Sequence, residues 1–116
     1  MMDNFMLTKD ADALLCVLYK EYLDRRKAGS SKSDARYLGG AEWMHENLMS
    51  KWSVEDIVDT CAELSRQDLL DCLWADNTVY ESALTDRGIY YMENRFKDGV
   101  ESFFGYLEKL RSFLPW

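Results

Sequence analysis

Few residues of this chain combine the types and the spacing that chemistry requires. One histidine, His45, and three cysteines, Cys16, Cys61 and Cys72, are scattered along 116 residues, whereas metal sites draw their ligands from short, regular spacings. The chain contains no Gly-x-Ser-x-Gly turn for a nucleophile, and Gly39-Gly40 lacks the Lys-Ser/Thr of a phosphate-binding loop. We therefore expect no metal, no cofactor and no enzymatic activity.

The charged residues are the other candidates for chemistry, and they are unevenly distributed. The net charge is −7, which is opposite in sign to that of most small nucleic-acid-binding proteins. Five basic residues lie between Arg25 and Arg36 against one acid, Asp34. A solvated helix end is one interpretation of this basic group. The other is a phosphate-contacting patch, for which the candidate cations are Arg25, Arg26, Lys27, Lys32, Arg36 and Lys51.

The acids farther along the chain also have two interpretations. Between Glu42 and Glu81 ten acids face two bases. Acids near helix starts stabilise the helix dipole and keep a protein soluble. An exposed acidic face can instead dock a basic partner protein or mimic nucleic acid. The dispersed aromatic residues also have two interpretations: they pack in the core, or they form a surface that binds a ligand or stacks on bases. These residues include Trp43, Trp52, Trp74, Tyr80 and Tyr91.

Length and composition predict one folded domain over residues 1–116, with a core at about residues 8–96. The chain is 47% apolar and 14% aromatic, unlike disordered sequences. Three cysteines without a pair spacing indicate reduced thiols inside a cell. No stretch approaches the ~18 consecutive apolar residues of a membrane span, and the start lacks a leader pattern. We expect a cytoplasmic protein without a membrane partner.

The first half of the chain predicts two helical segments. Thr8 can cap a helix that runs to about Lys27, with basic residues in its last turn and Gly29 as its stop. Ser33 or Asp34 can cap a second segment from Ala35 to about Leu48. Gly39-Gly40 weakens the middle of this segment and can split it into two short helices.

The second half predicts the order helix, hairpin, helix. Ser53 can cap a helix whose apolar stripe runs from Val54 to Leu64. Alternating residues on either side of Ala75-Asp76-Asn77 predict a β-hairpin. Thr85 can cap the next helix, which ends near Gly99.

A final helix is predicted over about residues 99–114. Its apolar stripe is large for the end of a small domain, so it either packs on the first helix or pairs with a second copy, since a twofold dimer is the commonest oligomer. The residues assigned to this homodimer contact are Phe103, Phe104, Leu107, Leu110 and Leu114.

The residues from about Ala11 to Phe96 resemble a winged helix-turn-helix domain. The resemblance runs from Ala41-Glu42-Trp43-Met44 through Ser53-Val54-Glu55-Asp56 to Leu64-Ser65-Arg66-Gln67-Asp68-Leu69-Leu70, and includes the helix start Leu84-Thr85-Asp86-Arg87-Gly88. Among such families the chain is most similar to the small YjcQ-type winged-helix proteins of Gram-positive bacteria and their phages. The fold class this implies is mainly α with a small β-hairpin, extended by an additional C-terminal helix.

The resemblance implies two functions of different class. One is a transcriptional regulator that binds double-stranded DNA as a dimer, through its basic connection between Arg25 and Arg36 more than through its third helix. Winged helices that bind DNA generally use the third helix and the hairpin. In this chain that helix begins with Glu55, Asp56 and Asp59 and the hairpin tip holds Asp76, so carboxylates stand where phosphate contacts are usual. The alternative is an acidic winged-helix module of phage origin that binds a basic partner protein.

Overall fold

The computed structural model describes residues 6–113 of the chain. Within these residues it contains six helices: α1 (Lys9–Lys27), α2 (Lys32–Ala35), α3 (Ala41–Asn47), α4 (Val54–Arg66), α5 (Asp86–Arg95) and α6 (Val100–Phe113). The strands are β1 (Tyr37–Leu38), β2 (Leu70–Ala75) and β3 (Thr78–Leu84). The expected mainly helical fold with a small hairpin is confirmed. The ends of the predicted domain, residues 1–5 and 114–116, lie outside the described residues.

Three helices begin at the hydroxyl caps that the sequence predicts. The side-chain oxygen of Thr8 accepts a hydrogen bond from the backbone N–H of Ala11 at 3.1 Å. Ser53 does the same for Asp56 at 3.1 Å, and Thr85 for Gly88 at 2.8 Å. Each bond satisfies one of the donors that a helix start leaves free, so α1, α4 and α5 begin where expected.

The predicted helical segment from Ala35 to Leu48 is wrong in its first half. Ser31, rather than Ser33 or Asp34, caps the short helix α2, and Tyr37–Leu38 form strand β1. The expected break at Gly39-Gly40 is confirmed, since α3 begins directly after it. The strand forms because Tyr37 and Leu38 pair with Ala83 and Ser82 of β3, and this distant pairing outweighs local helical preference.

The sheet is antiparallel, and its strands lie in the order β1-β3-β2. Asp76 and Asn77 connect β2 to β3 with φ values of 54° and 64°, the positive values that a two-residue type I′ turn requires. The pairing shifts by one residue between Leu73 and Trp74, which face Glu81 and Val79. The hairpin is therefore tightly turned and carries a bulge near its tip.

The hydrophobic core forms around α1, in which nine residues are buried. The inward face of α4 contributes Ile57, Cys61 and Leu64, and the sheet contributes Leu70 and Leu84. Burying a side chain such as Leu64 stabilises the fold by about 1.5–3 kcal/mol. The predicted apolar stripe of α4 therefore belongs to one continuous core with α1.

Helix α6 packs against α1 within the same chain. Phe103 is 1% exposed, and its ring meets that of Tyr19 edge-on at 5.1 Å. Leu107 and Leu110 are also buried, whereas Phe104 is 39% exposed. Three of the residues assigned to a dimer contact are thus used inside the monomer. Leu114 lies outside the described residues, and a homodimer stays a prediction that needs another surface.

A polar cluster joins α1, α5 and α6. Arg95 donates from Nη1 to Asp12 Oδ1 at 2.6 Å and from Nη2 to Asp12 Oδ2 at 3.2 Å. The hydroxyl of Tyr106 donates to the same carboxylate, and the Arg95 guanidinium lies 4.6 Å from the Tyr106 ring centre. Bidentate Arg–carboxylate pairs are strong and directional, so this cluster fixes α6 relative to α1.

Candidate functional site: an acidic groove beside the hairpin

A groove of about 550 Å³ lies between the hairpin and the starts of α3 and α4. We call it the acidic groove. Its lining residues are Glu42, Val54, Glu55, Val58, Asp59, Asp76, Asn77, Thr78 and Tyr80.

Four carboxylates surround the acidic groove, and all four residues are exposed. Among the residues that the structure describes, no lysine, arginine or histidine lines it. The ion pairs found in residues 6–113 involve other acids. The carboxylates are therefore uncompensated within the described part of the chain and favour a positively charged ligand. They are Glu42, Glu55, Asp59 and Asp76.

The floor of the acidic groove is apolar. Val54 and Val58 are half-buried members of the α4 stripe, and Tyr80 of β3 is 57% exposed. Tyr80 is the extra residue at the hairpin bulge, because Leu73 and Trp74 pair with the residues on either side of it. An extra residue of this kind re-aims a side chain at a sheet edge. The acidic groove thus combines an apolar floor, against which a ligand can pack, with the negative charge of its carboxylates.

Two local features of the sequence position the groove walls. The Ser53 cap starts α4 so that Glu55 falls in its first turn, where the helix dipole stabilises acids. Gly40 allows the start of α3 to approach the hairpin, because a Cβ at this position would lie 2.3 Å from the carbonyl oxygen of Val79. A side chain there would push α3 and β3 apart.

A similar close approach explains the Leu-Thr-x-x-Gly motif at the start of α5. A Cβ on Gly88 would lie 2.4 Å from the carbonyl oxygen of Leu69. The hydroxyl of Thr85 donates to the carbonyl oxygen of Asp68 at 2.7 Å while it caps the helix. The motif therefore joins α5 to the end of α4, and its role is structural.

The six cations predicted to contact phosphate lie outside the acidic groove, and two of them, Arg25 and Arg36, are half-buried. Arg25 donates to Glu21 at 2.9 Å and to the carbonyl oxygen of Tyr37, and its guanidinium lies 5.4 Å from the Trp43 ring centre. Arg36 donates to Asp86, and this bond lowers the pKa of the Asp86 carboxyl.

The remaining four cations are exposed. Arg26 donates to the carbonyl oxygen of Ser30 at 3.1 Å. Lys27 and Lys32 lie near it at the connection between α1 and α2, and Lys51 lies in the turn before α4. The basic patch is thus smaller than the sequence indicated, with Arg26, Lys27 and Lys32 at its centre.

The histidine has a structural contact. The ring Nδ1 of His45 lies 2.7 Å from the carbonyl oxygen of Trp52. Because a carbonyl oxygen only accepts, this nitrogen donates, and the bond spans the turn between α3 and α4. Within residues 6–113, no group of three or more His, Cys, Asp or Glu residues is arranged to hold a metal ion. None of the helices in that range has the length and apolar character to cross a bilayer.

Sequence reasoning found the acids of this site but not the site itself. Glu55, Asp59 and Asp76 were recognised as acids at positions that usually contact DNA, whereas Glu42 and the valine floor were not assigned to a surface. The sequence feature that could have placed Glu42 in the groove is Gly40, two residues before it. Gly40 allows the start of α3 to approach the hairpin closely and so places Glu42 beside the hairpin. Comparison of the chain with family models, curated proteins and solved structures finds no match.

Proposed function

We propose that this chain is a winged helix-turn-helix domain in which α3 and α4 form the helix-turn-helix and the β2–β3 hairpin forms the wing. The support is the order of the elements and the sheet order β1-β3-β2. The short strand β1 sits between the first helix and α3 and closes the sheet on the far side of the wing. The helices α1 and α4 form the core beneath it.

We further propose that the domain binds a basic partner protein through the acidic groove. One observation carries this proposal: the face that a winged helix presents to DNA holds four exposed carboxylates and, among the described residues, no cation. Phosphate at this face would meet like charge, which costs affinity instead of supplying it. A lysine or arginine side chain would meet opposite charge together with an apolar floor.

DNA binding is the second candidate, and one observation favours it. Arg26, Lys27 and Lys32 are exposed at neighbouring positions of the α1–α2 connection. They supply positive charge on a surface away from the acidic groove. In this second candidate the domain binds double-stranded DNA through that connection and not through α4.

A paired titration tests the two candidates. Fluorescein-labelled probes, a short alternating lysine–alanine peptide and a mixed-sequence DNA duplex, are titrated with the protein at about 10 mM salt, where charges act over about 30 Å. We expect the peptide to bind, a glutamate–alanine peptide not to bind, and the duplex to bind more weakly than the basic peptide. Tighter binding of the duplex than of the basic peptide would contradict the proposal.

A charge-neutral variant locates the binding surface. The groove variant carries Glu42→Gln, Glu55→Gln, Asp59→Asn and Asp76→Asn. At about 0.5 kcal/mol per exposed ion pair, the four changes remove about 2 kcal/mol, or roughly 30-fold in affinity for the basic peptide.

The matched control changes two aspartates and two glutamates that are exposed outside the acidic groove. It carries Asp34→Asn, Glu93→Gln, Asp98→Asn and Glu101→Gln. Because both variants gain the same net charge, a non-specific attraction between opposite charges would weaken equally in both. Equal losses in the two variants would exclude the acidic groove as the binding surface.

A further inference from the structure

β2 forms one edge of the three-stranded sheet. It is the last strand in the order β1-β3-β2 and pairs with β3 alone. Its sequence, Leu70–Ala75, contains no lysine and no proline, which are residues that commonly keep an edge strand from pairing with another chain. The bulge of the hairpin adds its extra residue to β3 and leaves β2 regular. The outer edge of β2 can therefore accept a further strand.

A hydrogen bond at the start of β2 shows which of its backbone groups point away from β3. The backbone N–H of Thr85 donates to the carbonyl oxygen of Leu69 at 3.3 Å, so the backbone of Leu69 points toward the β3 side. Backbone groups alternate in direction along a strand, and those of Leu70, Cys72 and Trp74 therefore point away from β3. Among residues 6–113, no hydrogen bond joins these groups to another element. The edge thus presents unpaired donors and acceptors within the described part of the chain.

The two faces of β2 differ in chemistry, because successive side chains of a strand point to opposite faces. Leu70 and Cys72 lie on the face that packs against the core, and Trp74, on the same face, is 43% exposed. Asp71 and Leu73 lie on the outer face, where Leu73 is 58% exposed. A strand added beside β2 would therefore meet an apolar row on the inner face and an aspartate on the outer face.

The outer face of the sheet carries negative charge. Asp71 and Glu81 lie on this face and are both exposed. Together with Tyr37 and Leu73 they line a shallow groove of about 250 Å³. None of the ion pairs within residues 6–113 includes either acid. Opposite charges at neighbouring positions of adjacent strands attract each other, so this face favours a lysine or arginine on an added strand.

We propose that the edge of β2 binds an extended segment of a basic protein, which joins the sheet as an added strand. Main-chain hydrogen bonds to Cys72 and Trp74 hold the segment, and its alternating side chains determine which sequence binds. Apolar side chains lie beside Cys72 and Trp74, and lysine or arginine side chains lie beside Asp71. A second copy of this chain fits less well, because its β2 brings another aspartate and no cation. The edge lies outside the acidic groove, and the proposal does not depend on the ligand of that groove.

Amide exchange in the full chain tests the edge directly. The ¹⁵N-labelled protein is titrated with a peptide of about eight residues that alternates valine and lysine, and the exchange of each backbone amide with solvent is measured by nuclear magnetic resonance. We expect saturating peptide to slow exchange at Cys72 and Trp74 at least about tenfold. The amides of Asp71 and Leu73 already point toward β3, so their exchange should change less. Unchanged exchange at Cys72 and Trp74 would overturn the proposal.

Two methylated peptides separate main-chain pairing from attraction between charges. In the bound strand the valine N–H groups face β2 and the lysine N–H groups face away from it. One peptide is N-methylated at its valines and the other at its lysines, so both keep the same charge. We expect methylation of the valines to weaken binding at least about tenfold and methylation of the lysines to change it no more than about threefold. Equal affinities would show that charge alone holds the peptide and would contradict strand pairing.

A pair of protein variants tests the charge on the outer face. Asp71→Lys should weaken binding of the valine–lysine peptide about fivefold. Glu93→Lys makes the same change of net charge at an exposed position of α5 and should bind the peptide as the wild type does. Equal losses in the two variants would exclude Asp71 from the contact.

The same measurements recognise other occupants of the edge. Slow exchange at Cys72 and Trp74 in the peptide-free protein, increasing with protein concentration, would assign the edge to a second copy of the chain and overturn the proposal. Tighter binding of a valine–glutamate peptide than of the valine–lysine peptide would exclude a basic partner at this edge.

Discussion

The polar cluster of Asp12, Arg95 and Tyr106 predicts a specific loss of stability when its carboxylate is removed. In Asp12→Ala the Arg95 guanidinium loses both of its hydrogen-bonded carboxylate oxygens, which lie at 2.6 and 3.2 Å, and Tyr106 loses its acceptor. The side chains of Asp12 and Arg95 are 15% and 24% exposed, so water only partly replaces the lost contacts.

The size of the loss follows from this partial burial. Breaking a fully buried ion pair costs about 3–5 kcal/mol, and an exposed pair contributes about 0–1 kcal/mol. Because the Asp12–Arg95 pair is partly buried, its loss should lower the free energy of unfolding by an amount between these limits, about 2–3 kcal/mol. Asp12 also lies in the first turn of α1, where an acid stabilises the helix by about 0.3–1 kcal/mol through the dipole.

Asp10→Ala is the matched control, because Asp10 lies in the same helical turn but is exposed. Urea unfolding followed by tryptophan fluorescence gives the free energy of unfolding of each variant. We expect Asp10→Ala to lose no more than about 1 kcal/mol and Asp12→Ala, which loses both contributions, to lose about 2–4 kcal/mol. Equal losses in the two variants would refute the role assigned to the cluster.

Two further predictions concern a glycine and a tyrosine. Gly40→Ala places a Cβ 2.3 Å from a β3 carbonyl oxygen and should lower the free energy of unfolding in urea by at least about 2 kcal/mol. The control is Gly105→Ala, whose Cβ meets nothing within 4 Å and which should stabilise α6 by about 0.5–1 kcal/mol. Similar effects of the two changes would contradict the close approach of α3 to the hairpin. Burial and the hydrogen bond to Asp12 raise the pKa of Tyr106 from 10 to about 12. Because the pKa is higher in the folded state than in the unfolded state, the stabilisation is complete below about pH 10 and is lost as the pH rises toward about 12. The melting temperature of Tyr106→Phe should therefore fall less across that pH range than the melting temperature of the wild type. The same dependence of the melting temperature on pH in both proteins would count against the contact.

Much of the fold could be predicted from local signals, because those signals act over a few residues. The hydroxyl caps at Thr8, Ser53 and Thr85 are satisfied within one helical turn, and Asp76-Asn77 forms its turn by itself. Strand β1 is different. Two residues cannot display an alternating pattern, and Tyr37–Leu38 are a strand only because β3 lies beside them.

The candidate site was harder to predict for the same reason. The acids of α4 and Asp76 are visible in the sequence, but their enclosure with Glu42 and Val58 depends on how the hairpin folds over α4. The basic group was over-counted because Arg25 and Arg36 find partners that are distant in sequence, at Tyr37 and Asp86. The apolar stripe of α6 has the same sequence pattern whether it packs against α1 or against a second chain, so the sequence could not predict which of the two it contacts.

The most direct test of the proposed binding surface is a nuclear magnetic resonance titration of the ¹⁵N-labelled protein with the alternating lysine–alanine peptide at low salt. We expect the largest backbone amide shifts at Glu55 and Asp59 of α4 and at Asn77 and Tyr80 of the hairpin, which line the acidic groove. No shifts at saturating peptide, or shifts concentrated elsewhere on the domain, would contradict binding of a basic partner at this groove.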